Sequence, residues 1–452
     1  MENRRTLTAG LVTLVTLVAF EAVAVTAAMP SVAKALDGLS LYGFAFGGAL
    51  ATSVVGMVLA GAWCDRAGPA RPAAVGVALF CAGLLVAGLA PQMWVLVLGR
   101  LVQGFGGGIV NVALFVVVGR AYPTAEHPRV FSYISAAWVL PAIVGPAVAG
   151  LIVSYAGWRW VFLLVAVAAV PVLALIWPRI SRVRPDDSDI SSKSRFSWSL
   201  GAAAGALVLY VGGQKSLILL GAGVVIVAVC GIRLLPPGTL TVARGLPSVV
   251  LLRGLAGAAF MQADVFIPLM LTRERGLSPT LAGLSLTVGA LFWSGGSWLQ
   301  ARPGLRLSET ARLRLGAAGI AAGVASVMTL AISSVPVVLA VAGWCLAGFG
   351  MGLVSPGSAA LVLRLSRPGE QGANSSALSV ADALLTTTAL AAGGSLFAAL
   401  IGTGPAAYLA AFGVALLPAA LGILVAGRTF GRSDGTSAPV ALAGERAGAG
   451  RG

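Results

Sequence analysis

Long apolar runs alternate with short polar connections along almost the whole chain. Each run is long enough to cross the ~30 Å hydrocarbon core of a bilayer as a helix. Fourteen such runs are predicted, at residues 7–29, 42–62, 73–90, 93–118, 130–155, 158–177, 196–212, 216–235, 247–271, 279–299, 313–332, 336–361, 374–401 and 406–427. They are grouped as six, two and six, because a polar stretch at 178–195 and the pair Pro236-Pro237 interrupt the pattern.

This grouping predicts an all-α polytopic membrane protein with five parts. Two helical bundles are separated by a loop and a helix pair, and a tail rich in Gly, Ala and Ser is expected to be disordered. The parts are an N-terminal six-helix bundle at 1–177, a cytoplasmic loop at 178–195, two linker transmembrane helices at 196–237, a C-terminal six-helix bundle at 238–430 and a cytoplasmic tail at 431–452. The seventh run is short and Gly212-Gly213-Gln214-Lys215 follows it. If the linker pair formed a re-entrant hairpin, the chain would cross twelve times and its termini would still share one side.

The two sets of six runs carry an internal repeat. The sequence GFGGGIV at 104–110 recurs as GFGMGLV at 348–354. The same offset relates Ser132 to Ser376 and Gly150 to Gly394. Two related halves that enclose a substrate site are a common layout of secondary transporters.

Composition agrees with a membrane protein and excludes several soluble classes. The chain is 58% hydrophobic and only 10% charged, whereas soluble domains carry about 25% charged residues. Its net charge of +15 does not indicate nucleic-acid binding, because the basic residues do not cluster but separate the apolar runs. Most of the 30 lysines and arginines fall in alternate connections, which predicts that both termini are cytoplasmic. Five fall on the other side: Lys34, Arg159, Lys215, Arg273 and Arg275.

The ends of the chain and its metal-binding residue types add little further chemistry. The apolar run after MENRR extends to about Met29, too long for a cleaved signal peptide, so it is interpreted as a retained first helix. The four cysteines lie in or beside apolar runs without a CxxC pattern, and the single histidine, His127, lies in a loop. No metal site, disulfide framework or cofactor is expected from this set.

The fourth run contains an arginine at membrane depth. A guanidinium there is costly in free energy, so Arg100 must face protein or water. Steps of four, three and four residues place Arg100, Gly104, Gly107 and Asn111 on one helical face. A polar face of small residues fits a helix that lines a transport cavity. The alternative is a buried arginine that only joins neighbouring helices.

Three sequence motifs occur in order through the first half. GAWCDRAGPAR follows the second run, LGRLVQGFGGG lies in the fourth, and PAIVGPAVAG lies in the fifth. In the first, Gly61 permits close helix approach, Asp65 can accept hydrogen bonds, and Gly68-Pro69 predicts a tight turn. In the third, Pro146 removes a helix hydrogen bond, while the small residues around it permit a close neighbour.

These motifs resemble signatures of the major facilitator superfamily, and their combination is similar to the 14-spanner drug:proton antiporters. The first resembles its cytoplasmic gate motif at Gly61, Asp65, Arg66, Gly68 and Arg71, with Ala70 in place of one basic residue. The second resembles the fourth-helix motif of proton-coupled members at Arg100, Gln103 and Gly104. The third resembles the antiporter motif at Pro141, Gly145, Pro146 and Gly150, where Pro141 replaces the leading glycine. The resemblance implies a major facilitator fold and multidrug efflux, but it does not identify a substrate.

Acidic residues within the apolar runs are candidates for proton or substrate coupling. Glu21 lies about 21 Å along the first helix, a depth similar to that of Arg100, so a Glu21–Arg100 pair is predicted. A static salt bridge between helices is the alternative. Asp264 shares a face with Arg253 and Phe260 and precedes Pro268, which makes it the leading candidate. Asp382 shares a face with serine and threonine residues and is expected to have only hydroxyl neighbours.

Polar and aromatic residues of the central helices are candidates for the cavity wall. Large aromatic rings suit the apolar walls of a site that accepts several substrates. The candidates are Asn111, Trp138, Phe260, Gln262 and Trp293.

The chain is therefore predicted to be a multi-pass transporter of the plasma or inner membrane, and not an enzyme. It would export lipophilic or cationic small molecules in exchange for protons by alternating access, as a monomer without a nucleic-acid partner. A dedicated metabolite or lipid exporter of the same fold, with or without proton coupling, is the alternative. A channel would need a repeated selectivity filter, an enzyme a catalytic constellation, and an ATP-driven pump a GxxxxGK[ST] loop; the sequence has none of these.

Overall fold

The computed structural model describes residues 2–123, 126–183, 193–213, 216–302, 307–366 and 371–430. Fourteen α-helices occur in these ranges. They are α1 (Glu2–Ala35), α2 (Tyr42–Ala67), α3 (Ala70–Gly88), α4 (Met93–Ala121), α5 (His127–Tyr155), α6 (Arg159–Ile180), α7 (Lys193–Gly213), α8 (Leu217–Leu234), α9 (Leu246–Arg273), α10 (Pro279–Ala301), α11 (Glu309–Met328), α12 (Val337–Leu365), α13 (Gln371–Ala399) and α14 (Pro405–Ala426). The predicted tail at 431–452 lies outside the described residues.

The helices extend beyond the predicted apolar runs at several ends. The first begins at Glu2 and the twelfth reaches Leu365, because intrahelical hydrogen bonds continue where the side chains become polar. Eleven helices among the described residues are long and apolar enough to cross a membrane. An all-helical membrane protein is confirmed, because lipid leaves helices as one of the few ways to satisfy every backbone group. The number of fourteen crossings stays a prediction.

The first six and last six helices pack in the same pattern. Helix α4 packs against α2 and α3, and α12 packs against α10 and α11. A Cβ atom on Gly104 would overlap the carbonyl oxygen of Ala49, and one on Gly348 would overlap that of Gly289. The predicted sequence repeat is thus matched by equivalent close helix contacts in both halves.

The two largest helix interfaces between the halves are those of α2 with α13 and of α5 with α10. We call the side of the molecule at which α1 begins the near side, and the opposite side the far side. Both interfaces are closest toward the far side. A Cβ atom on Gly43 would lie 2.6 Å from the Cα atom of Gly394, and one on Gly150 would lie 2.6 Å from that of Thr280. Side chains of ordinary size at these glycines would separate the halves.

Helices α7 and α8 pack as a pair along the α2–α13 interface. Helix α7 contacts both α2 and α13. Near the far end of α7, the Ser395 hydroxyl donates a hydrogen bond to the carbonyl oxygen of Leu209, 3.1 Å away. Near the other end, the Arg233 guanidinium lies 5.5 Å from the ring centroid of Trp198. The α7–α8 pair therefore lies along one of the two largest interfaces between the halves and not along the other.

Candidate functional site

A cavity of about 350 Å³ lies between the halves. Most of its wall comes from α1, α2, α4 and α5, and Phe80 of α3, Met261 and Val265 of α9 and Leu390 of α13 complete it. The wall is largely apolar. Its polar side chains among the described residues are those of Glu21, Thr26, Ser53, Arg100, Gln103 and Asn111.

The predicted Glu21–Arg100 pair is present at the cavity wall. Arg100 Nη1 donates a hydrogen bond to Glu21 Oε1 at 2.6 Å, and the two residues are only 4% and 7% exposed. Helices α1 and α4 run in opposite directions, so similar depths bring the two side chains together. A buried pair of this kind loses most of its hydration. Removing one of the two charges would therefore leave the other buried without compensation, at a high cost in free energy.

Arg100 is fixed by two further acceptors. Its Nε donates to the carbonyl oxygen of Ala45 at 3.2 Å, and Nη1 also donates to Gln103 Oε1, one helical turn along α4. Gly104 allows α2 to pack closely enough for the Ala45 carbonyl to be reached, because a side chain there would overlap the neighbouring Ala49 carbonyl. The fourth-helix motif therefore forms one hydrogen-bonded unit with Glu21.

The near-side part of the cavity carries its most exposed lining residues. Phe115 is 48% and Trp138 is 45% exposed, and Asn111 is exposed beside Met57. Asn111 and Trp138 were predicted as cavity residues, and the structure places both on its wall. Large contact area from aromatic rings combined with few polar groups is typical of small-molecule sites.

The far side of the cavity is closed by contacts between the halves. The Tyr42 hydroxyl of α2 donates a hydrogen bond to the carbonyl oxygen of Val265 of α9, 2.9 Å away. The Tyr42 ring packs against Phe46 and Phe266, with centroid distances of 5.5 and 5.6 Å. The arrangement is thus closed on the far side and has its exposed lining on the near side.

Asp264 lies outside this cavity, on the C-terminal half. It is partly buried, and no hydrogen bond or ion pair joins it to the part of the chain that the structure describes. Phe260 lies one helical turn before Asp264 on α9, as the sequence predicted. A role in substrate or proton binding stays a prediction.

Three predicted cavity residues do not line the cavity. Phe260 stacks on Trp344 at 4.8 Å and meets Trp293 edge-on at 5.2 Å, both inside the C-terminal half. Gln262 is fully buried, and its Nε2 donates to the Ala411 carbonyl of α14 at 3.2 Å. Helical spacing predicted which face of α9 carries Phe260 and Gln262. Which of these faces are covered by other helices depends on tertiary packing.

The prediction about the neighbours of Asp382 was wrong. Asp382 does not have only hydroxyl neighbours, because Arg253 of α9 binds both of its oxygens, at 3.1 and 2.9 Å. The pair is partly exposed and is not part of the cavity wall. Arg253 was recognised on the same face as Asp264, but the sequence did not show that α13 packs against that face.

The loop motif after α2 is described only in part. Gly68 adopts φ +73°, which favours glycine, and its N–H bonds to the Cys64 carbonyl, so the predicted tight turn is present. Arg66 and Arg71 are exposed, and the Asp65 side chain lies outside the described residues. Gly61 does not permit a close helix contact here, since a Cβ atom on it would meet nothing within 4 Å. The motif lies on the near side, at the end of α2 and the start of α3.

The fifth-helix motif lies where the halves meet. Pro141, Gly145, Pro146 and Gly150 are all buried. A Cβ atom on Gly145 would lie 3.3 Å from Val23 of α1, and the Pro146 carbonyl faces Gly283 of α10. The predicted close neighbours are therefore α1 on one face and α10 on the other.

Sequence reasoning missed several apolar residues of the cavity wall. Phe46, Phe80, Phe115 and Met57 line it, yet each is an ordinary apolar residue within a membrane run. The helical face shared by Arg100 and Asn111 was the available signal, because Phe115 lies one turn beyond Asn111 on α4. The contributions of α2 and α3 had no comparable signal.

Comparisons with known proteins agree with this architecture. Residues 10–389 match the sequence family described as the Major Facilitator Superfamily. The chain is 24% identical over 291 residues to the multidrug efflux pump SdrM of Staphylococcus aureus (strain N315), covering 61% of this chain and 64% of that protein. It is 28% identical over 217 residues to the multidrug transporter protein MdtP of Bacillus subtilis (strain 168), covering 47% of this chain and 40% of that protein. Each match thus spans less than two thirds of the relative.

A solved structure shares the fold at low sequence identity. The bacterial homologue of the human lysosomal transporter Spinster, in an inward-facing and unoccupied conformation, has a TM-score of 0.68 and 14% identity. The match covers 95% of this chain and 98% of that one. Together with the family match over most of the sequence, this shows that the chain belongs to the Major Facilitator Superfamily of multi-pass membrane transporters.

Proposed function

We propose that this transporter exports lipophilic or cationic small molecules across the plasma membrane in exchange for protons. The observation that carries the proposal is the buried Glu21–Arg100 pair, which lies on the wall of a largely apolar cavity between the two halves. The efflux pumps among its relatives support the class of substrate. A carboxylate at this depth can hold or release a proton where substrate binds.

The proposed exchange depends on competition at one site. When Glu21 is ionised, Arg100 and Gln103 hold the cluster together and the cavity can receive substrate. When a proton neutralises Glu21, the charge attraction between Glu21 and Arg100 is lost, and the guanidinium keeps its bonds to the Ala45 carbonyl and Gln103. Because the energy of a buried charge pair is large, protonation can change the relative stability of the two transport states.

Asp264 and Asp382 are proposed as secondary coupling groups. Asp264 lies on α9 immediately before Val265, the residue whose carbonyl accepts the bond from Tyr42 at the far-side closure. A change in its charge would therefore act close to a contact that must break when the far side opens. Asp382 links α13 to α9 through Arg253, so its protonation would loosen two helices of the C-terminal half.

The membrane placement follows the distribution of basic residues. We propose fourteen crossings with both termini in the cytoplasm, which makes the near side cytoplasmic. Residues 1–177 and 238–430 would move as two bundles, with 178–195 as a cytoplasmic loop and 196–237 as the linker helices. The far-side contacts would break and near-side contacts would form during each cycle, with one chain as the transporting unit.

The test is efflux from proteoliposomes under an imposed pH gradient. Wild type is compared with Glu21→Gln, Asp264→Asn and Asp382→Asn, using the uncharged dye Nile red and the cationic dye ethidium. Gradient-driven efflux of either dye in wild type, with loss in Glu21→Gln, is the expected result. Arg364→Gln serves as the control, because it removes a charge from an exposed ion pair with Glu309.

Two outcomes would contradict the proposal. If Glu21→Gln retains full gradient-driven efflux, the pair is a static salt bridge and coupling depends on another group. If neither dye moves with or without a gradient, the reading as a dedicated metabolite or lipid exporter replaces multidrug export.

A further inference from the structure

We propose that the cavity selects uncharged lipophilic molecules over permanent cations of the same shape. This inference rests on the proposed export function and narrows its substrate class. The observation behind it is a charge balance. Among the described lining residues, one acidic and one basic side chain face the cavity, and they are bound to each other.

The carboxylate of Glu21 is already neutralised by Arg100. Its Oε1 accepts from Arg100 at 2.6 Å, and both residues are more than nine-tenths buried. A cation that approached Glu21 would have to displace a guanidinium that is also bonded to the Ala45 carbonyl and to Gln103. The displaced guanidinium would then be left buried with its ion pair broken, which is unfavourable.

The other membrane-depth acids do not compensate a cation in this cavity. Asp382 is bound by Arg253 through both oxygens, and neither Asp264 nor Asp382 is on the cavity wall. Basic residues on the near side add to the effect, since Arg66 and Arg71 are exposed there. A positive potential at the entrance lowers the local concentration of cations.

Protonation of Glu21 increases this selectivity. The cluster then carries only the charge of Arg100, so the described wall has a net positive charge instead of none. An uncharged molecule neither competes with Arg100 for Glu21 nor is repelled by the positive charge of the wall. It is met by aromatic surface from Phe115 and Trp138 and by the amide of Asn111.

The inference is tested by binding two probes that differ only in charge. They are diphenylhexatrienes that carry either a tert-butyl or a trimethylammonium group, which have nearly the same shape. Binding to the full chain in lipid nanodiscs is measured by energy transfer from tryptophan, after correction for partitioning into empty nanodiscs. Wild type is expected to bind the uncharged probe tighter by about tenfold.

Three variants identify the cause of the preference. Arg100→Gln leaves Glu21 without its guanidinium and is expected to raise the affinity for the trimethylammonium probe by about tenfold. Asn111→Asp adds a carboxylate to the exposed wall without touching the pair, so it keeps the test informative if Arg100→Gln does not fold. Asn111→Asp should also shift the ratio of the two affinities toward the trimethylammonium probe. Arg273→Gln removes an exposed positive charge at the far-side end of α9, away from the near-side entrance, and should leave the ratio of the two affinities unchanged.

The outcomes separate this inference from the proposed exchange. Equal or tighter binding of the cation by wild type overturns the inference, as does failure to bind either probe or a ratio unaffected by Asn111→Asp. Binding is measured without a gradient. Loss of proton-driven efflux with the preference intact therefore overturns only the exchange, and equal affinities with efflux intact overturn only the substrate class.

Discussion

The carboxylate of Asp382 occupies the position that a side chain on Gly257 would fill. A Cβ atom on Gly257 would overlap Asp382 Oδ1 and lie 3.4 Å from the Thr386 hydroxyl oxygen. One turn earlier on the same helix, Arg253 binds both oxygens of that carboxylate. The ion pair between α9 and α13 therefore depends on a glycine in one helix as much as on the charges.

Gly257→Ala should separate Asp382 from Arg253 and destabilise the C-terminal half by about 1–3 kcal/mol, because an added methyl group in a filled space forces neighbours to move. The midpoint of thermal unfolding in detergent should fall. Gly413→Ala is the matched control, since a Cβ atom there meets nothing within 4 Å and alanine is the better helix former. A Gly257→Ala protein as stable as the Gly413→Ala protein would contradict the described geometry.

Removing one member of the Glu21–Arg100 pair should cost more stability than removing both. Glu21→Gln leaves a buried guanidinium without its partner, a loss of about 3–5 kcal/mol. Glu21→Gln combined with Arg100→Gln leaves no charge and should unfold at a higher temperature than either single variant. The exposed Arg4–Glu126 pair, 54% and 45% exposed, provides the comparison, with a coupling of about 0–1 kcal/mol. If the losses of stability in the two single variants add up in the double variant, Glu21 and Arg100 do not form a buried pair.

Tyr42→Phe should favour opening of the far side. It removes the hydrogen bond to Val265 but keeps the ring, a loss of about 1 kcal/mol, which corresponds to a roughly fivefold change in population. Electron-spin distances between labels at Tyr155→Cys and Glu274→Cys, in a background without the native cysteines, should gain a longer component. Tyr122→Phe is the control, since the Tyr122 hydroxyl bonds to Thr8 at 2.9 Å on the near side, within the N-terminal half. An unchanged distance distribution in Tyr42→Phe would show that the bond does not hold the closure.

Gly104→Ala and Gly348→Ala should each prevent normal folding. In both cases the new methyl group would overlap a backbone carbonyl of the neighbouring helix, and backbone cannot yield as a side chain can. Gly107→Ala should fold, because its nearest neighbour would be the Phe80 ring at 3.6 Å. Fluorescence-detected size-exclusion chromatography of the three variants measures this difference. A monodisperse peak for Gly104→Ala would contradict the tight α2–α4 contact.

Some features of the site follow from the sequence because they are local or nearly symmetric. A polar residue within a long apolar run is conspicuous, and depth along two antiparallel helices was enough to pair Glu21 with Arg100. The relation between the GFGGGIV and GFGMGLV sequences predicted two similar halves, and Gly104 and Gly348 make the same kind of contact.

Other features depend on which helix faces which, and the sequence did not determine them. Gln262 and Phe260 are polar and aromatic residues at the right depth for a cavity, yet α14, α10 and α12 cover them. Arg253 reaches Asp382 only because α13 packs on the face of α9 that carries Gly257. In a membrane helix almost every face is apolar, so the pattern does not distinguish lipid from protein neighbours.

The sequence by itself determined the helices, their order and the charged residues at membrane depth, because a bilayer requires long apolar helices and makes each buried charge costly. Only the tertiary structure decided which of those charges share the cavity and which side of it is closed. These properties come from contacts between residues far apart in the chain, such as Tyr42 with Val265. Backbone and side-chain packing set them, and no local pattern encodes them.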